Sequence, residues 1–350
     1  MAATQKTITP IDNSVYVERP YATPADIAAT LKAAAEAQRQ WKFTTIVERA
    51  KILTKAVDIF LSAKDQHAEQ ITRQMGRPIS QSPGEMRGFE ERARYMIQIA
   101  AEALADIEAT DKPGFVRFVR REPLGVVFIV APWNYPYLTS VNGVIPALMA
   151  GNAVVLKHSA QTPLCAEGFQ QAFDAAGLPK GLFQHLVLTH DDTAKVIAAP
   201  EVAYCNFTGS VAGGHAVQQA ALGKFMGLGL ELGGKDPAYV RADANLDHAV
   251  ENLVDGAMFN SGQCCCAIER IYVHEKLFDR FVDGFVDLTK KYKLGNPLDA
   301  GTNLGPMVRT SAAEFVRGQI ADAVKAGAKA LIDPNSFAAD KPGTPYLAPQ

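Results

Sequence analysis

The run GVVFIVAP, Gly125 to Pro132, is continuously apolar and bounded by turn residues. A strand buried in a parallel sheet reads this way, because helices cover both of its faces. Outward from it the same grammar repeats. A helical segment ends at Met149, and NAVVLKHS (Asn152–Ser159) is a second strand. LCAEGFQQAFDAAG then forms a helix that stops at Gly177. LFQHLVL and VAYCNFTGS are further strands, and they alternate with the helical stretches DDTAKVIAA and VAGGHAVQQAAL. Strand–helix alternation at this spacing predicts an α/β fold with a doubly wound parallel sheet.

Upstream, apolar residues recur three and four apart from Asp26 to Leu61, where good helix formers dominate. Asp26 follows Pro24 and Ala25 as an N-cap or first-turn acid. Further helices are expected from Asp65 to Met75, before Gly76 and Pro78, and from Pro83 to Ile107. Asp111-Lys112-Pro113-Gly114 breaks the last of these. FVRFVRREP (Phe115–Pro123) then alternates apolar and basic residues like a half-exposed hairpin arm. Downstream, HAVENLVDGAMF reads as a helix, RIYVHEKL as a strand and LFDRFVDGFVDLTKKY as an amphipathic helix.

The 350 residues suffice for two domains, and 48% hydrophobic against 21% charged is a globular balance. With 35 basic and 37 acidic residues, no polybasic field invites nucleic acid or anionic lipid. No apolar run reaches the roughly 18 residues of a membrane span, and the first 25 residues carry no signal-peptide pattern. Five cysteines without a CxxC pattern predict neither a disulfide framework nor a structural zinc. A reduced, cytoplasmic compartment is expected.

Four places could carry chemistry. FTGSVAGG (Phe207–Gly214) follows a strand and opens a helix, where backbone N–H groups and the dipole favour phosphate; a plain structural turn is the alternative. FNSGQCCCA sets Cys264, Cys265 and Cys266 after a Ser-Gly-Gln turn, and a thiol needs only modest activation to be a nucleophile. Cys165 and Cys205 read as small buried hydrophobes. Metal ligation by the triplet is not expected, because consecutive side chains diverge. Glu231 lies in apolar, glycine-rich LGLELGGK; burial would suit it as a base for water, and a helix cap or a salt bridge with Lys235 is the alternative. Asn134, in PWNYP, is either a turn residue or an amide donor to an oxyanion.

Together these segments resemble the aldehyde dehydrogenase superfamily. REPLGVVFIVAPWNYP, ALMAGNAVVLKHS, FTGSVAGG, LELGGKDP and FNSGQCCCA occur in family order and spacing, with NPLD and LGPMV following. The resemblance runs from about Val47 to the last residue. It implies a Rossmann-like cofactor-binding domain, an α/β catalytic domain that is incomplete here, and a small β-hairpin oligomerisation arm. The corresponding residues are 1–112 and 123–237 for the first, 113–122 for the arm and 238–350 for the catalytic part.

Residue by residue, the resemblance makes Cys265 the nucleophile, Asn134 the oxyanion donor with the Cys265 N–H, and Glu231 the base for hydrolytic water. Cys264 and Cys266 shape the turn. Lys157 is implied at the adenosine ribose, Gly209 and Ser210 at the pyrophosphate, and Trp133 and Leu232 at the cofactor boundary. The implied reaction oxidises a small aldehyde to its acid with NAD or NADP, through a thiohemiacetal and a thioester. No metal is implied, and a homo-oligomer is the family's habit.

Two departures matter. NAD-preferring branches usually carry an acid three positions after the ribose lysine, whereas Lys157-His158-Ser159-Ala160 puts alanine there, so NADP is expected to be accepted. His158 stands where many relatives have proline, as a loop filler. The family also continues beyond the point where this sequence stops, so the C-terminal part of the catalytic domain is expected to be missing and the oligomer to be doubtful. A phosphorylating or CoA-acylating relative, or an inert nucleotide-binding fragment, are the rival readings.

Overall fold

The computed structural model describes residues 3–350. In chain order its elements are β1 (Thr4–Ile8), β2 (Val15–Pro20), α1 (Pro24–Trp41), α2 (Ile46–Ser62), α3 (Lys64–Met75), α4 (Ser82–Ala103), β3 (Ile107–Glu108), β4 (Phe118–Val119), β5 (Val126–Val130), α5 (Pro136–Met149), β6 (Ala153–Lys157), α6 (Pro163–Ala176), β7 (Phe183–His185), α7 (His190–Ala198), β8 (Val202–Thr208), α8 (Val211–Ala220), β9 (Gly227–Glu231), β10 (Asp236–Val240), α9 (Leu246–Met258), β11 (Ile268–Val273), α10 (Phe278–Thr289) and α11 (Thr310–Lys325). Contacts divide the chain into two units. The first runs to Gln5 and takes in Arg19–His67 and Glu85–Glu231; the second holds Lys6–Glu18, Ala68–Gly84 and Leu232–Gln350.

This division differs from the expected boundaries, which gave 1–112 wholly to the first domain and placed the later break at 237. Segments 6–18 and 68–84 belong to the second unit because their partners are there. Arg77, almost fully buried, donates from Nε to Asn260 Oδ1 at 3.1 Å. Ile79 N–H bonds Pro297 O at 2.7 Å, and Tyr346 Oη bonds Ile11 O at 3.1 Å. Residues so far apart in the chain leave no local trace of such pairing.

In the first unit, five parallel strands lie in the order β7-β6-β5-β8-β9. All residues of β5 and β6 are buried, as the unbroken apolar runs require. From β5 the chain winds to β6 and β7 on one side, then returns to β8 and β9 on the other. The reversal between β5 and β8 is the switch point at which open α/β sheets bind ligands. The doubly wound expectation is borne out.

The helices around the sheet follow their sequence signals. α1 and α2 each open with a capping box, Thr23 with Asp26 and Thr45 with Glu48, so Asp26 is the box partner and Thr23 the cap. α6 ends on Gly177 in the left-handed region. The last carbonyls of α5, which no intrahelical N–H can reach, are taken by side chains of α1 and α2. Trp41 Nε1 donates to Leu148 O at 2.9 Å, and the buried Arg49 donates to Met149 O at 2.9 Å and to Lys42 O at 2.9 Å. A cation there also meets the negative end of the helix dipole. Phe60 of α2, Phe89 of α4, Tyr137 of α5 and Phe169 of α6 meet in one aromatic cluster.

α4 stops at Ala103, four residues short of the expected Ile107, and Ile107 instead begins the hairpin. β3 and β4 pair antiparallel, Ile107 opposite Val119, so the arm starts before residue 113. Phe115, Val116, Phe118 and Val119 on this arm are exposed. In the second unit β10 and β11 pair in parallel. They cover a core of Val240, Val250, Val254 and Phe281, against which Leu253, Ile271 and Phe285 pack. Among the described residues no helix is long and apolar enough to cross a membrane.

Candidate active site

Because β5, β6, β8 and β9 are parallel, whatever follows each of them lies along one edge of the sheet. Trp133 and Asn134 follow β5, Lys157 ends β6, Gly209 and Ser210 follow β8, and Glu231 ends β9. The first unit therefore gathers six of the expected site residues at its carboxyl edge, and Ala160 follows Lys157 there. Leu232 and Cys265 belong to the second unit.

Asn134 is half-buried in the turn before α5, and its Oδ1 accepts from Tyr135 N–H at 3.1 Å. That bond makes the NH2 the donating end of the amide. The turn is held from two sides. Tyr135, at the N-cap of α5, has no capping side-chain bond. Buried Glu85 supplies it instead, accepting from Tyr137 N–H at 2.7 Å and Leu138 N–H at 3.0 Å. On the other side His158 Nε2 meets Pro136 O at 3.1 Å. Its Nδ1 accepts from Ser159 N–H at 2.9 Å and lies 3.0 Å from Thr162 Oγ1. Burial pushes this imidazole down to about 4, so it is neutral near pH 7, with Nε2–H the donor. His158 is thus a cross-link between the loop after β6 and the start of α5. Sequence reading missed both clamps; an acid 47 residues upstream of PWNYP gave no signal, and His158 read as filler.

Lys157 is buried, and burial pulls its ammonium below the ordinary lysine range, with no compensating charged partner among the described residues. Ala160, three residues on, is exposed. After β8 the ring of Phe207 lies directly beneath the turn. A Cβ at Gly209 would sit 2.6 Å from its Cζ, and one at Gly213 only 2.5 Å. A side chain at either position would have to displace the Phe207 ring. Ser210 caps α8, its Oγ accepting from Gly213 N–H at 3.1 Å, so of the first-turn N–H groups those of Val211 and Ala212 have no intrahelical acceptor.

Glu231 departs from expectation. It is exposed, so the burial read from its apolar context is not there. The reason is position, since it is the last residue of an edge strand. Its carbonyl accepts from Gly209 N–H at 2.9 Å. The alternative pairing with Lys235 is not formed either, because Lys235 binds Glu269.

In the second unit, Asn260 and Ser261 have φ of 53° and 58°, and Gly262 has 70°. Left-handed backbone at two non-glycine residues is strained and persists only where the surroundings impose it. They do so here. Arg77 fixes Asn260, Asn260 Nδ2 donates to Gln263 O at 3.2 Å, Ser261 Oγ donates to Gly305 O at 2.9 Å, and Val308 N–H donates to Gln263 Oε1 at 2.8 Å. The strained turn delivers Cys264, half-buried, and Cys265 and Cys266, both exposed. Gly234 N–H, three residues beyond Glu231 in the chain, bonds Cys265 O at 3.1 Å.

The three side chains do not diverge as expected. Ala267 N–H closes a turn onto Cys264 O at 3.4 Å, and the three sulfurs lie within 4.8 Å of one another. Cys264 Sγ and Cys266 Sγ are 3.4 Å apart, and that hydrogen bond, with partial burial, pushes the Cys266 thiol up to about 12. Cys165 and Cys205 are fully buried, as read from the sequence. A cleft of about 590 Å³ beside this loop is lined by Met258, Ser261, Gly262, Ala267 and Leu304; none of the three cysteines lines it.

Compared with known proteins, the sequence matches the aldehyde dehydrogenase family over residues 1–349. The chain belongs to that family. A succinate-semialdehyde dehydrogenase [NADP(+)] of Mycobacterium avium is 36% identical over 310 residues, 88% of this chain and 66% of the relative. A D-glyceraldehyde dehydrogenase (NADP(+)) of Picrophilus torridus is 32% identical, over 94% of this chain and 66% of its own. The chain thus spans just under two thirds of these aldehyde dehydrogenases. The crystal structure of a succinic semialdehyde dehydrogenase from Streptococcus pyogenes, in complex with NADP+, superposes with a TM-score of 0.92 at 29% identity, covering 98% of this chain and 75% of that one. The α/β architecture expected from sequence is that of this family.

Proposed function

We propose that the protein oxidises an aldehyde to its carboxylic acid with NAD or NADP, using Cys265 as nucleophile. The observation that carries this is the exposed Cys265 thiol at the end of a strained, side-chain-locked turn in a chain of this family. Cys265 gives its thiol proton to solvent and the thiolate attacks the aldehyde carbon, and the resulting oxyanion is held by the Asn134 amide and the Cys265 N–H. When bound, a nicotinamide would supply the acceptor for the hydride that leaves this carbon as its C=O re-forms, leaving a thioester on Cys265. Glu231 then takes a proton from water, which attacks the thioester; the acid departs and the thiol is restored.

The first unit fits the dinucleotide. The N–H groups of Val211 and Ala212 at the start of α8, beside Gly209 and Ser210, suit a pyrophosphate, and Lys157 offers donors to a ribose hydroxyl. Trp133 and Leu232 are assigned to the rim of this site. Exposed Ala160 presents no carboxylate to a 2′-phosphate, and both relatives above are named for NADP(+). Five free thiols suit a reducing cytoplasm. The exposed apolar arm at Phe115–Val119 suits association with further copies of the chain.

The test is aldehyde-dependent reduction of NADP, followed for the wild type and for Cys265→Ala. The reading requires turnover with the first and none with the second.

A further inference from the structure

The cluster of three sulfurs goes beyond the oxidation of an aldehyde. We propose that Cys264, Cys265 and Cys266 form a three-thiolate site for a soft, thiophilic divalent metal ion, occupancy of which ties up the Cys265 sulfur.

The geometry is close to what such an ion needs. Three thiolates about 2.3 Å from one centre stand about 3.8–4.0 Å from each other. Here the Cys264–Cys266 separation is 3.4 Å and no separation exceeds 4.8 Å, so adjustments of under about an ångström bring the three to a common ion. The backbone is already curled by the Ala267–Cys264 bond and needs no refolding to present them. Cys265 and Cys266 are exposed, which gives the ion an entry path and leaves a fourth position for water. Thiolate ligands select soft ions over magnesium or calcium. On binding, each thiol gives up its proton to solvent and its sulfur bonds the ion. No electron is transferred, so no oxidant is needed.

The probe is Cd2+ alone, titrated into the reduced protein without aldehyde or cofactor. Thiolate-to-metal charge-transfer absorption and proton release are followed together. We expect saturation at one equivalent, with three protons released. Cys264→Ser and Cys266→Ser should each weaken binding by at least about tenfold, a loss typical of removing even an outer partner of a metal ligand. In the wild type, Cd2+ should protect all three cysteines from iodoacetamide, read by peptide mapping, which does not depend on any variant folding. Absence of the absorption band, protection of one cysteine only, or undiminished affinity in either serine variant overturns the site. Because the readouts need no turnover, an inactive chain that binds Cd2+ keeps this proposal while losing the catalytic one. An active chain that does not bind it does the reverse.

Discussion

His158 Nε2 lies 3.1 Å from the carbonyl oxygen of Pro136, two residues beyond Asn134. The imidazole is buried, and its other nitrogen is engaged by Ser159 and Thr162. One neutral ring thereby joins the loop that follows Lys157 to the turn that carries Asn134. Protonation would put a second donor at Nδ1, where the Ser159 N–H needs an acceptor.

That relationship sets a pH dependence. Folding lowers the His158 pKa from 6.5 to about 4, so the unfolded chain binds the proton more tightly. Its contribution to stability is complete above pH 6.5 and is lost as pH falls from there through 4, by about 3 kcal/mol. His185, also depressed by burial, adds to the slope in the wild type and in any His158 variant. Urea unfolding of the wild type and His158→Asn across this range isolates the His158 part as the difference between them. Parallel pH profiles would remove it.

Asn134→Ala should lower turnover by about a hundred- to a thousandfold, the usual cost of losing one oxyanion donor. Cofactor affinity, titrated by fluorescence, should stay within about twofold, because Lys157, not this amide, is proposed to hold the adenosine end. A raised KM with unchanged kcat would place the amide in ground-state binding instead.

Iodoacetamide should modify Cys265 well before Cys165 or Cys205. The latter two are fully buried, and burial pushes the Cys205 thiol up to about 12. Timed peptide mapping gives the order directly, and early label on Cys205 would contradict the fold around β8.

Ala160→Glu should weaken NADP selectively. A carboxylate opposite a 2′-phosphate costs about 1–2 kcal/mol at partial exposure, roughly tenfold in Kd. Equal loss for NAD and NADP would mean that residue 160 does not face the ribose.

These predictions draw on parts of the molecule that were not equally legible in its sequence. β5 and β6 could be read because burial on both faces leaves an unbroken apolar run, and α6 because Gly177 marks its end. β9 could not be, since GLGLE alternates glycine with leucine. At Gly229 a Cβ would lie 2.6 Å from Tyr204 Oη on the neighbouring strand, a tertiary contact invisible locally. α11 opens on Arg309, which makes no capping bond and so gives no start signal. At the site, motifs named the reactive side chains but not what holds them. Glu85 and Tyr137 are 52 positions apart, and Arg77 and Asn260 are 183 apart. The convergence of the three sulfurs depends on left-handed backbone at residues 260–262, which residue identity hints at only through Asn and Gly.

The central claim is that chemistry passes covalently through Cys265. It is tested most directly by quenching Glu231→Gln during incubation with an aldehyde and NADP and mapping its peptides by mass spectrometry. Slowed hydrolysis should leave one acyl group, on Cys265 alone. Acylation of Cys264 or Cys266, or NADPH formation with Cys265 unmodified, would contradict the account.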